Sequence, residues 1–145
     1  IDVLFVGSKF KKRENFINFL EINNINIIKF GIGWNNKPIF GKDLLKLFSR
    51  SKIILNFTRD KESFSVRVYH IFASKGFMLS TYSNELRESF LHGEHFDDFE
   101  NKEDCLYKII YYLKNPDLIE KISSQAFIFN LKNYDGKKII NDYFN

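Results

Sequence analysis

Short apolar runs alternating with longer amphipathic stretches predict an α/β domain, in which a mainly parallel sheet is covered by helices on both faces. Three observations carry this reading. The runs Val3-Leu-Phe-Val6, Ile25 to Phe30, Ile53-Ile-Leu-Asn-Phe57 and Phe77 to Ser80 have strand length and are almost wholly apolar, as strands buried on both faces must be. The stretches between them place apolar residues at helical spacing. The chain of 145 residues with 44% apolar residues is also long enough for one domain with one well-filled core, and not comfortably for two.

Each element follows from its residues. Val3 to Val6 is a strand ended by Gly7, and a helix from about Arg13 to Ile22 carries Phe16, Ile17, Phe19 and Leu20 on its inner side. Ile25 to Phe30 is the second strand, closed by Gly31-Ile-Gly33-Trp34. After a loop with Pro38 and Gly41, Lys42 to Arg50 reads as a helix, and Ile53 to Phe57 as the third strand. A helix over Val66 to Lys75 leads into the strand Phe77 to Ser80, a short helix near Asn84 to Phe90, and a weak strand near His95 to Phe99. Three helices finish the chain, Lys102 to Leu113, Pro116 to Asn130 and Gly136 to Tyr143; Pro116 suits a first helical turn, where a missing amide hydrogen costs nothing. The expected fold is a Rossmann-like three-layer domain with C-terminal helices, spanning residues 1–145 as a single unit.

Composition narrows the setting. With 17 Phe and seven Tyr, aromatic side chains carry much of the burial. The single cysteine, Cys105, builds neither a disulfide framework nor a zinc site, so a reduced, cytoplasmic location is expected. No run approaches the roughly 18 apolar residues of a membrane span, and the start lacks a basic leader. Opening on Ile and entering a strand pattern at once, the sequence reads as an excised part of a longer protein. The net charge of +4 and pI near 9.1 admit an anionic partner, yet the charges are interspersed along most of the chain and do not compel nucleic acid. The exception is Lys9, Lys11, Lys12 and Arg13.

In parallel sheets ligands bind outside the carboxyl ends of the strands, so the residues just after each strand are the informative ones. After the first come Gly7 and Ser8, then the cations through Lys12 and Arg13; a tight turn, outward-facing helix amides and positive charge favour phosphate, and the plainer alternative is a turn with surface lysines. The spacing G-x-G-x-x-G of dinucleotide sites is missing, and no acid ends the second strand to hold a ribose. Trp34 is either a packing residue or a platform at the cleft. The loop from Asn56 offers Arg59, Glu62 and Ser63, with Ser63 or Ser65 available as a helix cap. On the helix that follows, Arg67, His70 and Ser74 share one face, while Val68, Tyr69, Phe72 and Ala73 take the other. His92-Gly-Glu-His95 lacks further partners for a metal, and Asp97-Asp98 is not an Asp-x-Asp pair, so metal independence is expected and no cofactor.

Several of these segments resemble the C-terminal, donor-binding half of GT-B glycosyltransferases, most closely the spore-maturation-protein (CgeB)-like group. They are Val3 to Gly7 with Arg13, Phe30-Gly-Ile-Gly-Trp34, Gly41 before a helix, Ser51-Lys-Ile-Ile-Leu-Asn-Phe57, Arg67-Val-Tyr-His-Ile-Phe-Ala-Ser-Lys-Gly76 and Tyr111-Tyr-Leu-Lys-Asn-Pro116. Singly each is weak; in order they cover nearly the whole chain. The resemblance implies one of two Rossmann-like domains, with a nucleotide-diphosphate sugar on this half and the acceptor largely on an N-terminal domain absent from this chain. It also implies that Arg13, helped by Lys12, contacts the donor diphosphate. Related enzymes carry two Glu residues seven positions apart, near the sugar and the ribose; here Glu62 matches the first and His70 replaces the second.

That replacement has a calculable consequence. A carboxylate accepts two hydroxyl hydrogen bonds from a ribose, whereas a neutral imidazole accepts one and donates one. Loss of one charged hydrogen bond, roughly 1.5–3 kcal/mol, would weaken binding about tenfold to a hundredfold without removing the site; the alternative is that His70 meets a diphosphate oxygen and prefers to be protonated. Two functions stay open: sugar transfer from a nucleotide sugar to an acceptor hydroxyl, with Glu62 and His70 as catalytic candidates, or a noncatalytic nucleotide- or protein-binding module derived from such an enzyme. Nucleic-acid binding through Lys9 to Arg13 is disfavoured, since no second basic patch or base-stacking motif accompanies it.

Overall fold

The computed structural model of the chain describes residues 1–134; the helix expected over Gly136 to Tyr143 lies outside them. The elements in order are β1 (Val3–Val6), α1 (Lys11–Ile22), β2 (Ile27–Phe30), α2 (Gly41–Ser49), β3 (Ile53–Asn56), α3 (Arg67–Ala73), β4 (Met78–Thr81), α4 (Asn84–Ser89), β5 (Asp97–Phe99), α5 (Lys102–Leu113) and α6 (Pro116–Tyr134). The strands form one sheet in the order β2-β1-β3-β4-β5, parallel throughout. The Rossmann-like expectation is therefore met.

Strand alternation divides the core into two layers. Val3, Phe5, Ile53, Leu55 and Leu79 face Ile17 and Leu20 of α1 and Cys105, Ile109 and Tyr112 of α5. Leu4, Val6, Ile54 and Met78 face Leu44 and Phe48 of α2, Val68, Ile71 and Phe72 of α3, and Leu86 of α4. Burial on both sides is why these strands read as unbroken apolar runs. Helix α6 serves both layers, with Ile122 in the first and Ala126 in the second.

Where boundaries differ from expectation, the backbone supplies the reason. Helix α1 starts at Lys11, two residues early, with the Glu14 amide donating to the Phe10 carbonyl. Strand β2 starts only at Ile27, because Asn24 adopts φ +69° and the Ile25 amide closes α1 on the Leu20 carbonyl. Helix α3 stops at Ala73, since Lys75 takes φ +59° and the Gly76 amide returns to the Ile71 carbonyl at 2.9 Å. Helix α6 runs past Asn130, whose buried amide donates to the Tyr69 carbonyl at 3.2 Å and holds it against α3.

The edge strand β5 is shorter than expected because His95 turns back, its amide donating to the Leu91 carbonyl. Its two acids are buried and satisfied. Asp97 accepts from the Tyr112 hydroxyl at 2.7 Å, while Arg87 grips Asp98 through two bonds of 2.8 Å. Charges so placed discourage pairing of the exposed edge with another strand.

The strand order reverses beside β1: β2 lies on one side and β3 on the other, which opens a crevice outside their carboxyl ends. The turns after β1 and β2 meet there at the closest backbone approach. Gly31 has φ +142°, and a Cβ at that position would lie 2.1 Å from the Gly7 carbonyl oxygen. Substituting Gly31→Ala is therefore expected to lower unfolding free energy by at least about 2 kcal/mol in urea titration. An unchanged midpoint would show that the two turns do not need this contact.

Candidate functional site

Three consecutive carbonyls at the end of β1 organise the crevice. The Val6 carbonyl accepts from Arg67 Nη1 at 2.5 Å, the Gly7 carbonyl from Trp34 Nε1 at 2.9 Å, and the Ser8 carbonyl from Arg13 Nη1 at 3.2 Å. A side chain at residue 7 would intrude here, since a Cβ would meet the Phe5 ring at 2.8 Å and Arg13 Nη1 at 3.3 Å. Glycine thus lets a guanidinium lie against the turn. Arg13 is steadied further by the rings of Phe10 and Phe5, 4.9 and 5.6 Å from its guanidinium carbon.

The result is a cleft of about 520 Å³ between the ends of β1 and β3 and the start of α3. Gly7, Arg13, Asn56, Arg59, Ser63, Arg67 and His70 line it, with Phe5, Phe57, Thr58, Phe64 and Ser65 between them. Among the described residues no carboxylate lines this cleft. Burial, then the charges of Arg67 and Arg59, hold the Arg13 pKa below its ordinary value, so the cations repel one another across the space. An anion entering it relieves that repulsion. His70 stands one helical turn beyond Arg67; burial first and then Arg67 depress its pKa, which leaves the imidazole neutral at pH 7.

The loop after β3 is prefolded. Asp60 accepts from the amides of Glu62 and Ser63 at 2.8 and 2.9 Å, and these bonds draw its own pKa below the ordinary carboxylate value. The loop is fastened to α4, where the Asn84 and Glu85 amides donate to the Lys61 and Glu62 carbonyls at 2.7 and 2.9 Å. Buried Asn56 donates to Ser80 Oγ at 3.0 Å, tying the ends of β3 and β4.

Seven of the residues singled out in the sequence thus converge, and four do not line the cleft. Glu62 is exposed and its carboxylate accepts from Asn84 Nδ2 at 2.9 Å. Ser74 donates to the His70 carbonyl at 2.8 Å, closing the end of α3. Lys12 is exposed on α1, and Ser8 contributes its carbonyl to Arg13. Trp34 meets Phe5 edge-on at 6.1 Å and supports the turn from the core side. Thr58 is the lining residue that sequence reasoning passed over: it pairs with Thr81 Oγ1 through its amide and hydroxyl, and its signal was a polar residue just past a strand end.

Elsewhere, donor atoms of His92, Asp97 and Asp98 lie within 4.8 Å of one another, but they already serve each other, Tyr112 and Arg87. His95 is buried against the Phe129 ring at 4.3 Å, with Nδ1 accepting from the Leu91 amide. No helix of the described residues is long and apolar enough to cross a membrane.

A five-stranded parallel sheet flanked by helices, with a cation-lined crevice at the point where strand order reverses, defines a Rossmann-like α/β domain. The chain belongs to the glycosyl transferase-like family, whose model matches residues 12–145. Comparison with curated proteins by sequence gives no match. Among solved structures, the chain is similar to Anabaena HepE in complex with UDP-glucose, at TM-score 0.75 and 12% identity over 98% of this chain and 47% of that one. It is similar to the DNA-modifying enzyme β-glucosyltransferase at TM-score 0.69 and 18% identity, over 99% of this chain and 50% of that one. The C-terminal domain of a group 1 glycosyl transferase (LpcC) from Francisella tularensis matches at TM-score 0.65 and 11% identity, over 91% of this chain and 85% of that one. At these identities the likeness establishes the fold, that of GT-B glycosyltransferase domains. The chain spans 38–47% of the length of the HepE structures.

The histidines give a pH signature with a definite sign. Burial lowers the pKa of both His70 and His95, so acidification protonates them first in the unfolded chain. Their contribution to stability is complete above the ordinary value of 6.5 and is lost as pH falls from there through the lower folded values. NMR titration of the ring protons should give midpoints below 6.5 for both; a midpoint at or above it for His70 would contradict its burial beside Arg67.

Proposed function

We propose that this chain is the donor-binding domain of a GT-B glycosyltransferase of the spore-maturation-protein-like group, and that it holds a nucleotide-diphosphate sugar for transfer to an acceptor hydroxyl. The observation that carries this reading is the convergence of Arg13, Arg59 and Arg67 on a cleft lined by no carboxylate among the described residues. A diphosphate offers negative charge complementary to these cations, and guanidinium groups grip phosphate oxygens in pairs. As the bond from the sugar to the diphosphate breaks, charge grows on the leaving oxygens, where positioned cations stabilise it most. Arginines occupying that role make a divalent metal unnecessary in the proposed mechanism.

His70 lines the same cleft, and in this reading its imidazole meets either the ribose hydroxyls or a diphosphate oxygen. Glu62, exposed and bonded to Asn84, would act near the sugar only after leaving that partner. The acceptor belongs to a second, N-terminal domain facing the cleft, and the assembled enzyme would be cytoplasmic. The position of Glu62 also favours one rival, a module that binds the nucleotide and does not transfer the sugar.

Calorimetric titration with a panel of nucleoside diphosphates and their sugars should reveal a ligand binding at micromolar to millimolar concentration. Arg13→Ala should weaken that binding about tenfold to a hundredfold while the fold stays intact by circular dichroism. No binding across the panel would remove the donor-site reading, and an Arg13→Ala affinity equal to the parent would remove Arg13 from it. In His70→Glu, tighter binding marks a restored ribose contact; weaker binding places the histidine at the diphosphate. Binding without transfer once an acceptor domain is supplied would favour the noncatalytic module.

A further inference from the structure

The positive charge of this chain is gathered at one end of the domain. Residues 7–14 and 31–43 hold six cations and two acids, which matches the whole net charge of +4, and the remaining residues carry cations and acids in equal number. The two segments leave the carboxyl ends of neighbouring strands, β1 and β2, and they touch. The Lys9 amide donates to the Ile32 carbonyl at 2.8 Å, and Lys9 Nζ lies 5.4 Å from the Trp34 ring centre. Glu14 pairs with Lys9 at 2.8 Å and stands 3.8 Å from Lys11, whose side chain remains 83% exposed.

Three large apolar side chains on these segments lie open to solvent. Phe10 is 58% exposed, Ile32 70% and Phe40 73%. Such residues interleaved with lysines meet the two requirements of a lipid surface: anionic headgroups attract the cations, and the apolar groups enter the boundary between headgroups and acyl chains. Nucleic acid would satisfy the lysines and leave Ile32 and Phe40 in water. We propose that this end of the domain docks on an anionic membrane surface through Phe10, Lys11, Ile32, Lys37 and Phe40. None of these five residues lines the cleft, so the inference stands independently of the nucleotide reading.

The test is co-sedimentation of the chain with vesicles of phosphatidylcholine alone and with roughly a third phosphatidylglycerol, at low and high salt. Binding is expected to the anionic vesicles only, and to weaken as salt rises. Lys11→Glu with Lys37→Glu should cut the partition coefficient more than tenfold, given about fivefold for each lysine near such a surface. Ile32→Ser with Phe40→Ser should cut it about tenfold, with circular dichroism and nucleotide affinity unchanged. The proposal is overturned if anionic vesicles bind no more than neutral ones, or if neither double variant alters partitioning. It is equally overturned if duplex DNA binds more tightly than the vesicles and is insensitive to Ile32→Ser with Phe40→Ser.

Discussion

Everything at the carboxyl end of this sheet hangs on the backbone at the close of β1. Strand hydrogen bonding ends there, and three successive carbonyls are left with lone pairs that the sheet does not use. Arg67, Trp34 and Arg13 take them in turn, from α3, the turn after β2 and α1. A buried carbonyl without a partner is costly, so these bonds are required by folding as much as by any ligand. Their consequence is that two guanidinium groups are fixed in space by the fold itself, before anything binds. Mutual repulsion among cations is tolerated because the bonds to backbone and the aromatic rings of Phe5 and Phe10 offset it.

Much of this was legible in the sequence. Strands buried on both faces leave an unmistakable apolar signature, and the turn residues Gly7 and Gly31 marked where β1 and β2 end. Knowing that ligands gather at strand ends then brought Arg13, Arg59, Arg67 and His70 to one region without coordinates. What the sequence could not convey is the direction of individual side chains. Glu62 lies in the right loop at the right spacing, yet its partner Asn84 is 22 positions away and comes from an element that only the tertiary fold brings near. Ser74 shares a helical face with His70, but α3 ends just before it and turns its hydroxyl to a backbone carbonyl. Spacing assigns a face; the hydrogen bond available on that face decides the role.

Two kinds of charged group are thus used in different ways. Acids at β5 are buried and fully engaged, holding an edge strand in place through Arg87, Tyr112 and His92. Arg13 and Arg67 at the cleft are each anchored to a backbone carbonyl, which fixes the direction of the guanidinium. The neutral state of His70 belongs to the same pattern, since an imidazolium would add another positive charge beside Arg67.

Helix α6 reaches both layers of the core, sending Ile122 to one and Ala126 to the other, and its Asn130 is bonded to the backbone of α3. The two faces of the sheet are therefore not separable melting units. One long helix remote in sequence from β1 thus ties both layers together, and through α3 it backs the wall of a crevice formed by the first half of the chain.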